Sequence, residues 1–207
     1  MIFDNNTAYQ LYRIFVAIFG TLGMVVATSP MKRNRKKNML LLGGYAVYAI
    51  AFTFFFMHFV GFLSFLRSVI LTISLPGVVI TYLAADTSVS RHVFKCLSQL
   101  LLSLYLLISV TLLNTLFKGT LLSNAILLLS VYLAAIAFEF FVLRKAFLDI
   151  TGGNTQGWGI LALIPIAFFL FVMTLALYPV HYTKNPAFPP LFYLSGAVIA
   201  IIYYAVF

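Results

Sequence analysis

The chain has 207 residues, of which 63% are hydrophobic and 8% charged, with a mean hydropathy of +1.08. A soluble domain of this length needs far more polar surface, so the composition excludes a water-soluble globule and points to an integral membrane protein. The formal charge of +9 sits at the ends of apolar runs and makes no continuous basic face, which argues against nucleic acid and for membrane lipid, through its anionic headgroups, as the partner of those charges. Cys96 is the single cysteine, so neither an internal disulfide nor a thiolate metal site can form.

Apolar runs of about 20 residues are long enough to cross the hydrocarbon layer as helices. Seven can be read, at 9–28, 39–60, 68–85, 96–116, 121–143, 157–178 and 191–207. The expected fold is all-α: a polytopic transmembrane helical bundle of seven spans forming a single domain over 1–207. The first run follows Asp4-Asn5-Asn6-Thr7, which places no basic region ahead of the apolar segment and so does not read as a cleavable signal. Residues 31–37, Met-Lys-Arg-Asn-Arg-Lys-Lys, then pack five of the thirteen basic residues into one short link. Short loops rich in Lys and Arg stay in the cytoplasm, which puts the amino terminus outside and, after seven crossings, the carboxyl terminus in the cytoplasm. Nine basic residues then fall on inner links, while Arg13, Arg67, Lys118 and Lys184 lie outside or near the outer edge.

Further along, 61–67 reads as a tight outer turn, Pro76-Gly77 as a kink in the third span, and 86–95, with Arg91 and Lys95, as a polar inner link. Residues 117–120 make a minimal outer turn, and 146–156, rich in Gly, Asn and Thr, a solvated inner link. Trp158 opens the sixth span at interfacial depth, and Pro165 should bend it. Four prolines in 179–190 predict an extended outer loop. The seventh run, 191–207, ends without a polar or basic flank, which reads as a polypeptide that continues.

Ionisable side chains at membrane depth are costly and need a partner, a route to water or a function. If the outer helix ends converge, Arg13, His58, Arg67, His181 and Lys184 form a basic rim around a cavity lined by Phe55, Phe59, Phe62 and Phe65, suited to an anionic or peptide ligand with apolar side chains. The alternative is a set of edge charges and lipid-facing aromatics. Glu139, the acid deepest in an apolar run, should pair with a basic residue near the inner face, Arg144. Asp4, Asp86 and Asp149 all lie outside the apolar runs, so Glu139 has no second membrane carboxylate with which to couple ion flow. His58, His92 and His181 fall on different links, and Gly152-Gly153 lacks the lysine of a phosphate loop, so neither a metal site nor a catalytic constellation is expected. Small residues at Gly20, Gly23 and Ala27, and at Gly43, Val47 and Ala51, would allow close helix approach.

From Glu139 onward the chain runs through Phe141-Val142-Leu143-Arg144-Lys145-Ala146-Phe147, Gly157-Trp158, Leu161-Ala162-Leu163-Ile164-Pro165, Tyr178-Pro179 and Ile202-Tyr203-Tyr204-Ala205-Val206-Phe207. Over these residues it resembles the amino-terminal membrane region of the GHKL-type sensor histidine kinases of Firmicutes, a group similar to peptide quorum-sensing receptor kinases. The resemblance is looser over Arg91-His92-Val93-Phe94-Lys95 and the first three spans. It implies a receptor in the plasma membrane of a Gram-positive bacterium that senses a peptide or small molecule. The receptor would act as a homodimer, with its last helix feeding a cytoplasmic dimerisation helix and an ATP-binding kinase domain that serves a response regulator. The phosphoacceptor His and the ATP-site motifs have no matching positions here, so ATP and Mg belong to that further region and no catalytic residue or cofactor is expected within 1–207. Two competing readings are a small solute-binding transport subunit and a membrane-embedded enzyme, the latter weakened by the lack of clustered acids and histidines.

Overall fold

A computed structural model describes residues 5–145, 148, 157–177 and 187–206. Among these, every regular element is a helix. Six are long and apolar enough to cross a membrane: α1 (Asn6–Thr28), α2 (Arg35–Phe59), α3 (Phe62–Ala84), α4 (Val89–Leu116), α5 (Leu121–Leu143) and α6 (Trp158–Leu175). A seventh, α7 (Phe188–Val206), is apolar over Phe188–Tyr203, a shorter stretch than in the other six. This is the architecture of a multi-pass helical membrane protein.

The helix ends differ from the sequence expectation for local reasons. α2 starts at Arg35 because the Asn34 side chain accepts the Lys37 backbone N–H at 3.1 Å, a cap that offsets the cost of cations at a helix N-terminus. Arg35, Lys36 and Lys37 therefore belong to the first turn of the helix and not to the link. Gly61 takes a positive φ of 93°, open to glycine, and α3 begins at the next residue. The expected turn over 61–67 is thus far shorter, and Arg67 is helical. α4 begins at Val89, so Arg91, His92 and Lys95 are helix residues and not part of a polar link. Pro189 and Pro190 occupy the first turn of α7, where the N–H groups they lack would have no helical partner.

Proline also explains the two helix defects of the expected kind. Pro165 offers no N–H to the carbonyl four residues earlier, and α6 is interrupted at Ala162 between Trp158–Leu161 and Leu163–Leu177. Pro76 does the same to Thr72, and α3 relaxes into a π-turn over Ile70–Ser74, with the Leu75 N–H donating to the Ile70 carbonyl. The carbonyls exposed there become docking points. Tyr48 donates to the Thr72 carbonyl and Tyr45 to that of Ile73, each at 2.9 Å, and this joins α2 to α3. Gly77 makes room, since a Cβ there would stand 2.7 Å from the Tyr45 hydroxyl oxygen. Tyr45→Phe is expected to cost about 0.6 kcal/mol of stability in detergent unfolding, the average for an interhelical hydrogen bond in a membrane.

α1 and α4 form the centre of the bundle. α1 packs on α5, α4 and α3; α4 also meets α5 and α6; α2 covers α3, and α7 packs on α6. Gly20 and Gly23 let α5 approach α1, with the Tyr132 ring against Gly20 and Ile136 against Gly23. The second stripe of small residues is unused among the described residues: Gly43 has nothing within 4 Å of an added Cβ, and Val47 and Ala51 are exposed. At one end the 29–34 and 85–88 links are joined by a bridge between Met31 and Ala85, in which Lys32 N–H donates to the Ala84 carbonyl and Asp86 N–H to that of Pro30. The first and third links therefore share an end of the bundle, as alternating crossings require.

Candidate functional site

A helix in hydrocarbon keeps buried polar side chains only where neighbouring helices satisfy them. α4 buries five, His92, Lys95, Ser98, Gln99 and Ser103, and they reach different partners. Lys95 is 0% exposed and its ammonium donates to the Thr28 carbonyl at 3.1 Å. Thr28 ends α1, so the cation sits on the negative pole of that helix and satisfies a terminal carbonyl. One turn earlier, His92 Nε2 lies 3.1 Å from the Val78 carbonyl and 3.3 Å from both the Thr81 hydroxyl and the Cys96 sulfur, with its ring against Tyr82. The carbonyl can only accept, so Nε2 carries the proton, and buried Nδ1 has no partner.

Toward α5, the Gln99 amide is turned to the Glu139 side chain. Both residues are 2% exposed, and Gln99 Oε1 and Glu139 Oε2 remain buried without a hydrogen bond. Glu139 opens a second π-turn, Glu139–Leu143, a local defect that recurs at functional sites. Ser103 joins the same helix through Tyr132, whose hydroxyl donates to the Ser103 carbonyl at 3.0 Å. Toward α7 there are two clamps. Ser98 and Tyr203 hydroxyls meet at 2.9 Å, and Tyr105 meets Ser195 at 2.6 Å. Ser195 gives its own proton to the Phe192 carbonyl, so Tyr105 is the donor. Near the opposite end of α4, Arg13 donates to Thr111 at 3.1 Å and lies over the Tyr9 ring. α4 is thus hydrogen-bonded to α1, α3, α5 and α7, and the Phe94 ring packs against Trp158 of α6.

The residues expected to form a rim are dispersed. Arg13 faces α4, whereas His58 and Arg67 are exposed. Phe55 and Phe59 pack on one another at a ring separation of 4.6 Å and remain 59% and 69% exposed. Phe62 is half-buried and Phe65 is fully buried in the core formed with Met57 and Ile73. The four rings therefore line no common cavity, because Phe55 and Phe59, one turn apart, share the outward face of α2 while Phe65 points into the α2–α3 contact. His181 and Lys184 lie outside the described residues. The expected Glu139–Arg144 pairing is replaced: Glu139 turns inward to Gln99, and Arg144 lies over the Phe140 ring at 4.9 Å.

Sequence reasoning passed over His92, Lys95 and Gln99 as site residues. The signal was their spacing, since 92, 95, 96, 99 and 103 recur at three to four residues and trace one polar stripe along a helix. Fold and stripe together define a multi-pass helical membrane protein whose helices are cross-connected through α4. No family model, curated protein or solved structure matches this chain.

Proposed function

We propose that the chain is the membrane-embedded sensing domain of a two-component sensor histidine kinase, with seven crossings, the amino terminus outside and α7 leading to a cytoplasmic kinase region. In this reading the protein sits in the plasma membrane of a Gram-positive bacterium, works as a homodimer and acts on a response regulator through that kinase region, where ATP and Mg are bound. The observation that supports it best is the position of α4. It is bonded to α1 through Arg13 and Thr111 near one end, and to α7 through Tyr105–Ser195 and Ser98–Tyr203. A peptide or small molecule that shifts α1 against α4 therefore also shifts the seat of α7. Such a ligand acts only through unequal affinity for two helix arrangements, and the hydroxyl clamps are contacts that two arrangements can make or break.

The reading is tested by sequencing the natural transcript past the codon for Phe207. A frame that runs on into a His-bearing helical hairpin and a GHKL-type ATP-binding domain supports it. A stop within a few codons contradicts it.

A further inference from the structure

A groove of about 330 Å³ lies between α1, α3 and α4, walled by Ile18 and Leu22, Leu75 and Val78, and Val93 and Leu97. Its volume lies at the lower end of the range for small-molecule sites, roughly 300–1,000 Å³. Of the four polar side chains on its wall, three are engaged elsewhere: Thr21 donates to the Ala17 carbonyl, Ser103 meets Tyr132, and the Cys96 sulfur faces His92. Ser74, in the π-turn, is the fourth. The site therefore takes hydrocarbon.

Length and charge identify the hydrocarbon. Along α3 the groove runs from Ile70 to Val78 and along α4 from Val93 to Ser103, which at 1.5 Å per residue is about 12 and 15 Å. That is the hydrocarbon depth of one leaflet, about half of 30 Å. Below the groove, exposed Leu83 and Val89 continue an apolar path to the foot of α3. There the Lys32 ammonium donates to the Leu83 carbonyl at 3.0 Å, and Arg33, Arg35, Lys36 and Lys37 are all exposed beside it in sequence. Val78 to Ala84 spans about 9 Å of helix, a little more than a headgroup layer of about 5–8 Å.

We infer that this groove is a binding site for an anionic phospholipid, with one acyl chain between α3 and α4 and the headgroup against the basic link at Lys32. The site does not depend on the kinase reading, because it uses only the groove and the basic end of the bundle.

The test uses the full chain in nanodiscs of phosphatidylcholine, doped in turn with phosphatidylglycerol or phosphatidylcholine carrying a photoactivatable group in the acyl chain. Crosslinked peptides are then mapped by mass spectrometry. The expected result is labelling of 70–78 and 93–103 at least fivefold stronger from phosphatidylglycerol, since one surface cation is worth about 1 kcal/mol toward an anionic lipid. The exposed-charge variant Arg33→Gln/Arg35→Gln/Lys36→Gln should remove most of that preference, and Lys32→Gln about a fivefold share of it. The groove-filling variants Leu75→Trp and Leu97→Trp should lose labelling from both lipids. Equal labelling by the two lipids in the unmodified chain would mean that bulk hydrocarbon fills the groove and overturns the site. So would undiminished labelling in both tryptophan variants.

Discussion

Gly20→Val is expected to be among the most damaging single substitutions in the bundle, costing about 3 kcal/mol in detergent unfolding, at the upper end of overpacking effects. A Cβ at Gly20 meets the ring of Tyr132 at once. That ring cannot withdraw freely, because its hydroxyl donates to the Ser103 carbonyl and holds α5 to α4 as well. The added methyls therefore strain two helix contacts, α1–α5 and α4–α5. Gly43→Val is the matched control: nothing lies within 4 Å of the added Cβ, and the cost should stay within about 0.5 kcal/mol, as for ordinary surface changes. Comparable losses for both variants would show that the damage at Gly20 does not come from the close approach of α1 and α5.

Gln99→Leu is the second large effect. It removes the amide turned to the Glu139 side chain and leaves a carboxyl group that is 2% exposed without that neighbour, at a cost of about 3 kcal/mol. The double variant Gln99→Leu/Glu139→Leu removes both polar groups and should recover most of that loss, since replacing both members of a buried pair by apolar side chains is often close to neutral. The readout is a double-mutant cycle on unfolding in detergent, with a coupling of 1 kcal/mol or more expected from residues in direct contact. Additive single effects would place Gln99 and Glu139 in separate environments and leave the Tyr132–Ser103 hydrogen bond to join α4 and α5.

Much of this fold is legible in the sequence because a membrane imposes one dominant rule: an apolar run of sufficient length becomes a helix. The helix interiors follow that rule. Their ends do not, because caps and turns decide them. Asn34 draws three cations into α2, and Gly61 ends a turn after a single positive φ. Pro76 was readable as a defect, but the tyrosines that exploit it stand on α2, 28 residues from Ile73 in the case of Tyr45. No local pattern carries that pairing. The polar stripe of α4 is visible as spacing, but its start, His92 and Lys95, reads as part of a link over 86–95 wherever charge is equated with water. The aromatic lining expected inside the basic rim differs for another reason: whether Phe55 and Phe65 face each other depends on how α2 and α3 are rotated, and periodicity within one helix does not fix rotation between two.

Transmission of a shift from α4 to α7 is measured most directly by autophosphorylation of the full-length natural protein in native membrane vesicles, compared with its Tyr105→Phe/Tyr203→Phe variant. Interhelical hydrogen bonds in membranes average about 0.6 kcal/mol, so losing both hydroxyl clamps should leave insertion and protein level intact. The account expects the variant's phosphorylation rate, or its response to culture-derived signal, to shift several-fold. An unchanged rate and response at equal protein level, or no ATP-dependent phosphorylation of the natural protein at all, would contradict it.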